Sequence, residues 1–107
     1  MNSVRGDIHE LRTPKGGRGH EQAGSRFAVV IQSDDLILST LLVAPTSRSA
    51  RPRVFRPMIV VAGEPTRVLI EQSAAVAPER LGRLVGHLSR PELDEVASAL
   101  RLVLELD

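Results

Sequence analysis

Apolar residues in this chain fall into short runs separated by turn residues, and their spacing changes character once, near residue 89. Residues 27–32 (FAVVIQ) are apolar and β-branched, the pattern of a buried strand. Asp34-Asp35 forms a turn, and residues 36–43 return as a second buried strand. A short first strand is predicted over 6–11, and further strands over 54–62 and 66–72. Between those last two, Gly63-Glu64-Pro65 has turn chemistry. Pro57 lacks a ladder donor and confines its strand to an edge or a bulge. Residues 78–81 suggest one helical turn and 83–88 a last short strand. Two stretches are polar and Gly- or Pro-rich, a long loop over 12–25 and a basic loop over 45–53.

The ending is different in kind. Ser89-Arg90-Pro91-Glu92 matches a capping box, in which the Ser hydroxyl and the Glu three residues later satisfy each other's orphan amides. Leu93, Val96, Leu100, Val103 and Leu104 then recur at helical spacing, predicting an amphipathic helix over about 90–105. Several short strands followed by one C-terminal helix give a mostly β fold. The expected form is a small β-barrel of about five to seven short strands capped by that helix. At 107 residues the chain is one domain, 1–107, with a modest core that a partner subunit would help to complete.

Composition narrows the chemistry. No cysteine is present, which removes disulfides, thiolate metal sites and Cys nucleophiles together. The longest apolar runs are far too short to span a bilayer. Met1 leads straight into polar residues, so a cytoplasmic protein is expected. Net charge is only +1, but it is unevenly spread. Residues 1–56 carry nine Lys or Arg against five Asp or Glu, whereas 57–107 carry five against eight. Thirteen of the fourteen basic residues are Arg, the side chain suited to bidentate phosphate recognition, although an Arg-rich genome would produce the same bias.

Several segments stand in a familiar order: "RGDI" at 5–8, "GHEQAGSRFAVV" at 19–30, "VAPTS" at 43–47, "LIEQ" at 69–72 and "RLGRLVGHLSRPELDEVASALRLVLEL" at 80–106. Together they resemble the MazF/PemK/Kid family of toxin–antitoxin toxins over nearly the whole chain. The resemblance implies a homodimeric SH3-like barrel that cuts single-stranded RNA at short sequences without a metal or other cofactor. A cognate MazE-like antitoxin with an acidic, disordered C-terminal tail is the implied partner. Arg26 matches the family's phosphate-binding Arg, with Phe27 in place of the usual proline. Thr46 matches the Thr that touches the scissile phosphate, Glu21 the motif's Glu, and His20 the His of the PemK/Kid variant. Glu71 takes the acidic position of the "EQ" pair. The chain departs from the pattern at Leu69, where Kid-like members have Arg. It departs again at Ser73-Ala74-Ala75, which replaces "IRT", and at His9, where the first strand usually has Trp.

Cleavage through the 2′-OH needs a base, a proton donor for the departing 5′ oxygen, and charge stabilisation for the phosphorane. His20 can serve as either proton carrier. Glu21 or Glu71 could act as base if its pKa is raised. Arg26 is permanently charged and suits the phosphorane. Thr46 can hydrogen-bond a phosphate oxygen, and Ser47, Arg48, Arg51 and Arg53 form a basic RNA-binding loop. Each residue also has a plainer reading: a solvated His-Glu loop, a rim Arg over the core, a turn Thr, an edge Glu that blocks stray pairing, and a soluble basic loop. His87 reads as structural. Base stacking has only Phe27 and Phe55 to draw on, and Phe27 is expected to face the core.

Two other functions fit the same fold. A gyrase-poisoning relative would end in Trp-Gly-Ile, whereas this chain ends Glu105-Leu106-Asp107. A degenerate member would bind antitoxin or RNA without cutting, and the missing Arg residues near 69 and 74 keep that alternative open.

Overall fold

The computed structural model describes residues 3–12 and 26–107. It contains strands β1 (Asp7–Leu11), β2 (Phe27–Val30), β3 (Leu41–Ser47), β4 (Met58–Val61), β5 (Glu64–Val68), β6 (Ala74–Val76) and β7 (Leu81–His87). One helix follows, α1 (Arg90–Leu104), and single 3-10 turns lie at Ile70–Gln72 and Pro78–Arg80. All seven strands join one antiparallel sheet, in the order β4-β5-β3-β2-β1-β7, with β6 on the N-terminal half of β3. The sheet curls into a half-barrel with one C-terminal helix, the mostly β architecture that the apolar pattern predicts.

Strand alternation divides the core between the two faces. Ile8, Val29, Ala44, Ile59, Val61 and Val68 share one face with Ile70, Leu88 and the helix residues Val96 and Ala99, all buried. Ala28, Val30, Val43 and Leu81 form a smaller cluster on the other. Strands β2 and β3 therefore bury both faces, so β2 is an unbroken apolar run rather than an alternating one.

The helix begins where expected. Glu92 N donates to Ser89 Oγ (3.3 Å) and Ser89 N donates to Glu92 Oε1 (2.8 Å), closing the capping box. Glu92 also ties the helix to the sheet edge, because Val60 N donates to its second carboxylate oxygen at 3.0 Å. Glu105 in the left-handed region (φ 56°) ends the helix.

The strand expected over 36–43 is displaced to Leu41–Ser47. Residues Leu36, Ile37 and Leu38 are exposed, Ile37 by 96%. The cause is Gln32, whose amide nitrogen donates to Leu36 O and whose amide oxygen accepts from Leu42 N. A buried side chain thus braces the connection and holds those three residues out of the ladder. The expected basic loop accordingly starts later, since Pro45, Thr46 and Ser47 are strand residues. The strand expected over 54–62 shortens to β4, because Arg56 N donates to Arg53 O in a turn (2.9 Å) and Pro57 has no N–H. It does lie at the sheet edge, as Pro57 requires.

The turn after β4 is Ala62-Gly63 alone, both at positive φ (52° and 80°), a two-residue primed hairpin that pairs Val61 with Glu64. Glu64 and Pro65 already belong to β5. The strand expected over 66–72 stops at Val68, and Glu71 sits in a 3-10 turn whose Ile70 carbonyl accepts from Ser73 Oγ (2.7 Å). Strand β6 is three residues long, too short for periodicity to reveal, and β7 starts two residues before the expected position. No helix among the described residues is long and apolar enough to cross a membrane.

Candidate functional site

The candidate site lies where β2 begins and β3 ends. Ala28 pairs with Pro45, so the same register carried two residues further brings Arg26 to Ser47. On the other edge of β3, Ser47 pairs with Arg67 of β5 and Arg67 with Met58 of β4. Arg26, Ser47 and Arg67 therefore share one face of three adjacent strands, two guanidinium-bearing positions flanking a hydroxyl. Arg26 is exposed. Arg67 has one N–H committed, from Nη1 to Arg56 O (2.9 Å), and no carboxylate pairs with it among the described residues.

Thr46 points the other way, toward the larger core, and is only 4% exposed. Its hydroxyl donates to Phe27 O at 3.2 Å. This bond clamps the first residue of β2 to β3 and so positions Arg26, which precedes it. In this arrangement Thr46 is a positioning residue beneath the face, while Ser47 presents its hydroxyl on it. Ser47 Oγ accepts from Ser49 N at 3.3 Å, which shapes the start of the basic loop.

Glu71 is engaged by a cation. Arg56 donates to Glu71 Oε2 from Nε (3.0 Å) and from Nη2 (2.6 Å). Burial alone would raise the Glu71 carboxyl, but the hydrogen bond from Arg56, a backbone hydrogen bond and the Arg56 charge outweigh it. The carboxyl is held below its ordinary value, the opposite of the raised pKa that a general base at this position would need. Arg56 also donates to Arg51 O (3.1 Å) and lies over the Phe55 ring at 5.7 Å, so the pair anchors the basic loop. Arg51 and Arg53 are exposed in that loop. Arg48 stands 3.9 Å from Glu64, a separation too long for a hydrogen bond.

His20 and Glu21 lie outside the described residues. Arg67 escaped the sequence reading because nothing local distinguishes an Arg on a strand until its cross-strand neighbour is known, and Arg56 was read only as one of the basic loop's cations. His87 has the structural place expected of it, with Nδ1 2.9 Å from Asp7 Oδ1. His9 is buried between Gly82 O (3.1 Å from Nδ1) and Ser3 Oγ (3.3 Å from Nε2). Among the described residues no three His, Asp or Glu side chains gather as a metal ion would require.

Comparison with known proteins supplies the deciding observation. A family model described as PemK-like, MazF-like toxin of type II toxin-antitoxin system matches residues 4–104. The chain belongs to this family. The toxin is 38% identical over 104 residues, 96% of its own length and 98% of the relative's, to a Mycobacterium tuberculosis (strain H37Rv) protein named "Putative toxin Rv3098A". Its fold superposes with a TM-score of 0.78 on the Deinococcus radiodurans MazE-MazF crystal structure (Form-III), at 19% identity and over 100% of both chains. Mycobacterium tuberculosis toxin MazF-mt6 matches with a TM-score of 0.76 at 18% identity, over 94% of this chain and 98% of that one. A mycobacterial endoribonuclease solved with its cognate antitoxin matches at 0.78 and 12% identity, over 98% and 97% of the two chains. These structural likenesses establish the toxin's fold.

Proposed function

We propose that this toxin is an endoribonuclease that cuts single-stranded RNA through its own 2′-OH without a metal, and that an acidic antitoxin tail silences it. The observation that carries this reading is the row Arg26, Ser47 and Arg67 across three strands. Two guanidinium groups flanking a hydroxyl suit the phosphate of an RNA backbone. The structural neighbours, an endoribonuclease with its antitoxin and a MazE-MazF complex, support the same reading.

In this reaction the 2′-oxygen attacks phosphorus and the 5′-oxygen leaves, giving a 2′,3′-cyclic phosphate and a 5′-hydroxyl end. Arg26 stabilises the charge gathered on the phosphorane, and Arg67 and Ser47 hold the flanking backbone. Thr46 fixes the approach of Arg26 through Phe27 O. Glu71 orients the basic loop through Arg56 rather than taking the hydroxyl proton. The proton carriers fall to His20 and Glu21. The toxin acts as a homodimer, with the groove spanning both copies, and Arg51 and Arg53 attract RNA or the antitoxin tail alike.

The test is a purified toxin incubated with a long RNA in excess chelator, with the new ends mapped and Arg26→Ala as control. Discrete ends carrying cyclic phosphate, lost in the variant, are the expected result. RNA binding with no cutting by the parent would point to the degenerate, binding-only reading, which the ion-paired Glu71 favours.

A further inference from the structure

At the β4–β5 hairpin, on the core-facing side of the strands opposite this row, lies a cavity of about 140 Å³ bounded by Phe27, Arg48, Val61, Ala62, Glu64 and Thr66. The role of Arg26 in the proposed reaction leaves both Phe27 and Glu64 unassigned. The cavity is well below the ~300–1,000 Å³ of pockets that take whole small-molecule ligands. It suits one planar ring system pushed in edge-on.

Its walls divide by chemistry. Phe27, Val61 and Ala62 supply apolar surface, and Glu64 and Arg48 supply a carboxylate and a guanidinium at the mouth. Those two side chains are 3.9 Å apart and about 60% exposed, so neither is closed off by the other. Ala62 reaches the cavity from the left-handed backbone (φ 52°) of the hairpin turn. Phe27 and Arg48 follow Arg26 and Ser47 in the chain and turn to the opposite face of the sheet, so the cavity opens around the same strand end as the row.

We propose that this cavity takes a single flipped-out guanine of single-stranded RNA and so sets part of the cleavage motif. The proposal rests on the RNA reading above, but base binding does not depend on cleavage. Proteins read unstacked bases by stacking and by hydrogen bonds to the Watson–Crick edge. Guanine presents two adjacent donors there, N1–H and the N2 amino group, which match the two acceptor oxygens of the Glu64 carboxylate. Its O6 lies next to them and accepts from Arg48. Adenine and cytosine set an acceptor beside their single donor group, and uracil flanks its donor with two acceptors. Each would turn a lone pair toward the carboxylate.

Fluorescently labelled 2′-O-methyl hexamers, uncuttable through the 2′-OH, test this by anisotropy with the full-length toxin. Five uridines accompany one guanosine, adenosine, cytidine or inosine. The guanosine hexamer is expected to bind about tenfold or more tighter than the adenosine and cytidine hexamers. Inosine, lacking the N2 amino group, should fall between. Glu64→Gln should abolish the guanosine preference, bringing the guanosine hexamer to the affinity of the adenosine hexamer. Phe27→Leu, which keeps an apolar side chain against the core, should weaken every purine hexamer. Equal affinity of the parent for all four hexamers, or a preference that survives in Glu64→Gln, overturns the proposal. A guanosine preference in a protein that cuts no RNA sustains the pocket and removes the nuclease reading. Cleavage at ends lacking guanosine, unchanged in Glu64→Gln, removes the pocket and sustains the nuclease.

Discussion

The two ends of the half-barrel treat their charged side chains in opposite ways. Where β1 begins and β7 ends, the polar groups are matched among the described residues, the buried Arg5 Nε excepted. Asp7 Oδ1 meets His87 Nδ1 at 2.9 Å and its other oxygen accepts from Val4 N at 3.0 Å. Gly6 donates to Val30 O, Leu88 donates to Gly6 O, and the capping box at Ser89 closes the helix beside them. Where β2 begins and β3 ends, Arg26 finds no side-chain partner among the described residues, Arg67 has one bond to a carbonyl, and Arg48 and Glu64 stand apart. Matched groups contribute to stability, and unmatched cations on one face offer binding capacity to something outside the chain. The Arg56–Glu71 pair is the exception at the open end, and it anchors the loop that carries the remaining cations.

The sharpest break of this contrast is Arg26→Ala. Cleavage should fall about 100- to 1,000-fold, as for loss of a charge-stabilising donor, while urea unfolding stays within about 0.5 kcal/mol of the parent. The converse holds for Gly6→Ala at the closed end. Gly6 adopts φ +96°, and a Cβ there would lie 3.0 Å from Leu93 Cδ2 and 3.1 Å from the His87 ring. The left-handed backbone alone costs about 1–2 kcal/mol, and the crowding adds to it. The urea midpoint should drop accordingly, with RNA affinity retained by the folded fraction.

A gain is expected at the hairpin. Ala62→Asn creates the Asn-Gly pair that a primed turn favours and should stabilise the protein by about 1 kcal/mol, read as a raised melting temperature. The smallest effect is pH-dependent. Because the folded-state Glu71 carboxyl is held below its unfolded value, its stabilisation is present above the ordinary glutamate range and drains as pH falls through the folded-state value. Glu71→Gln should therefore narrow the stability difference from the parent in acid and widen it at neutral pH. The gap should be no more than about 1 kcal/mol, since both partners are partly exposed. Equal gaps at pH 3 and pH 7 would show that the pair contributes nothing.

Legibility in the sequence followed the range of the interactions. The helix, its capping box and the edge position of β4 were readable because caps, periodicity and a missing N–H act within a few residues. The strand at 36–43 was misplaced because its fate hangs on Gln32, whose side-chain bonds to Leu36 and Leu42 leave no periodic trace. Arg26 was marked as a candidate by the family pattern. Arg67 was not, because its place beside Ser47 is a product of β5 pairing with β3. Glu71 was legible as an acidic position but not as an ion-paired one.

By itself, the amino-acid sequence determined that short apolar strands precede one amphipathic helix, that no thiol chemistry is available, and that its cations are concentrated in the N-terminal half. These are properties of composition and of neighbours along the chain. Only the tertiary structure decided which cations share a face, which carboxylate is neutralised, and that Phe27 and Glu64 meet at one cavity. Those outcomes depend on strand register, and a shift of one residue would turn each side chain to the opposite face of the sheet.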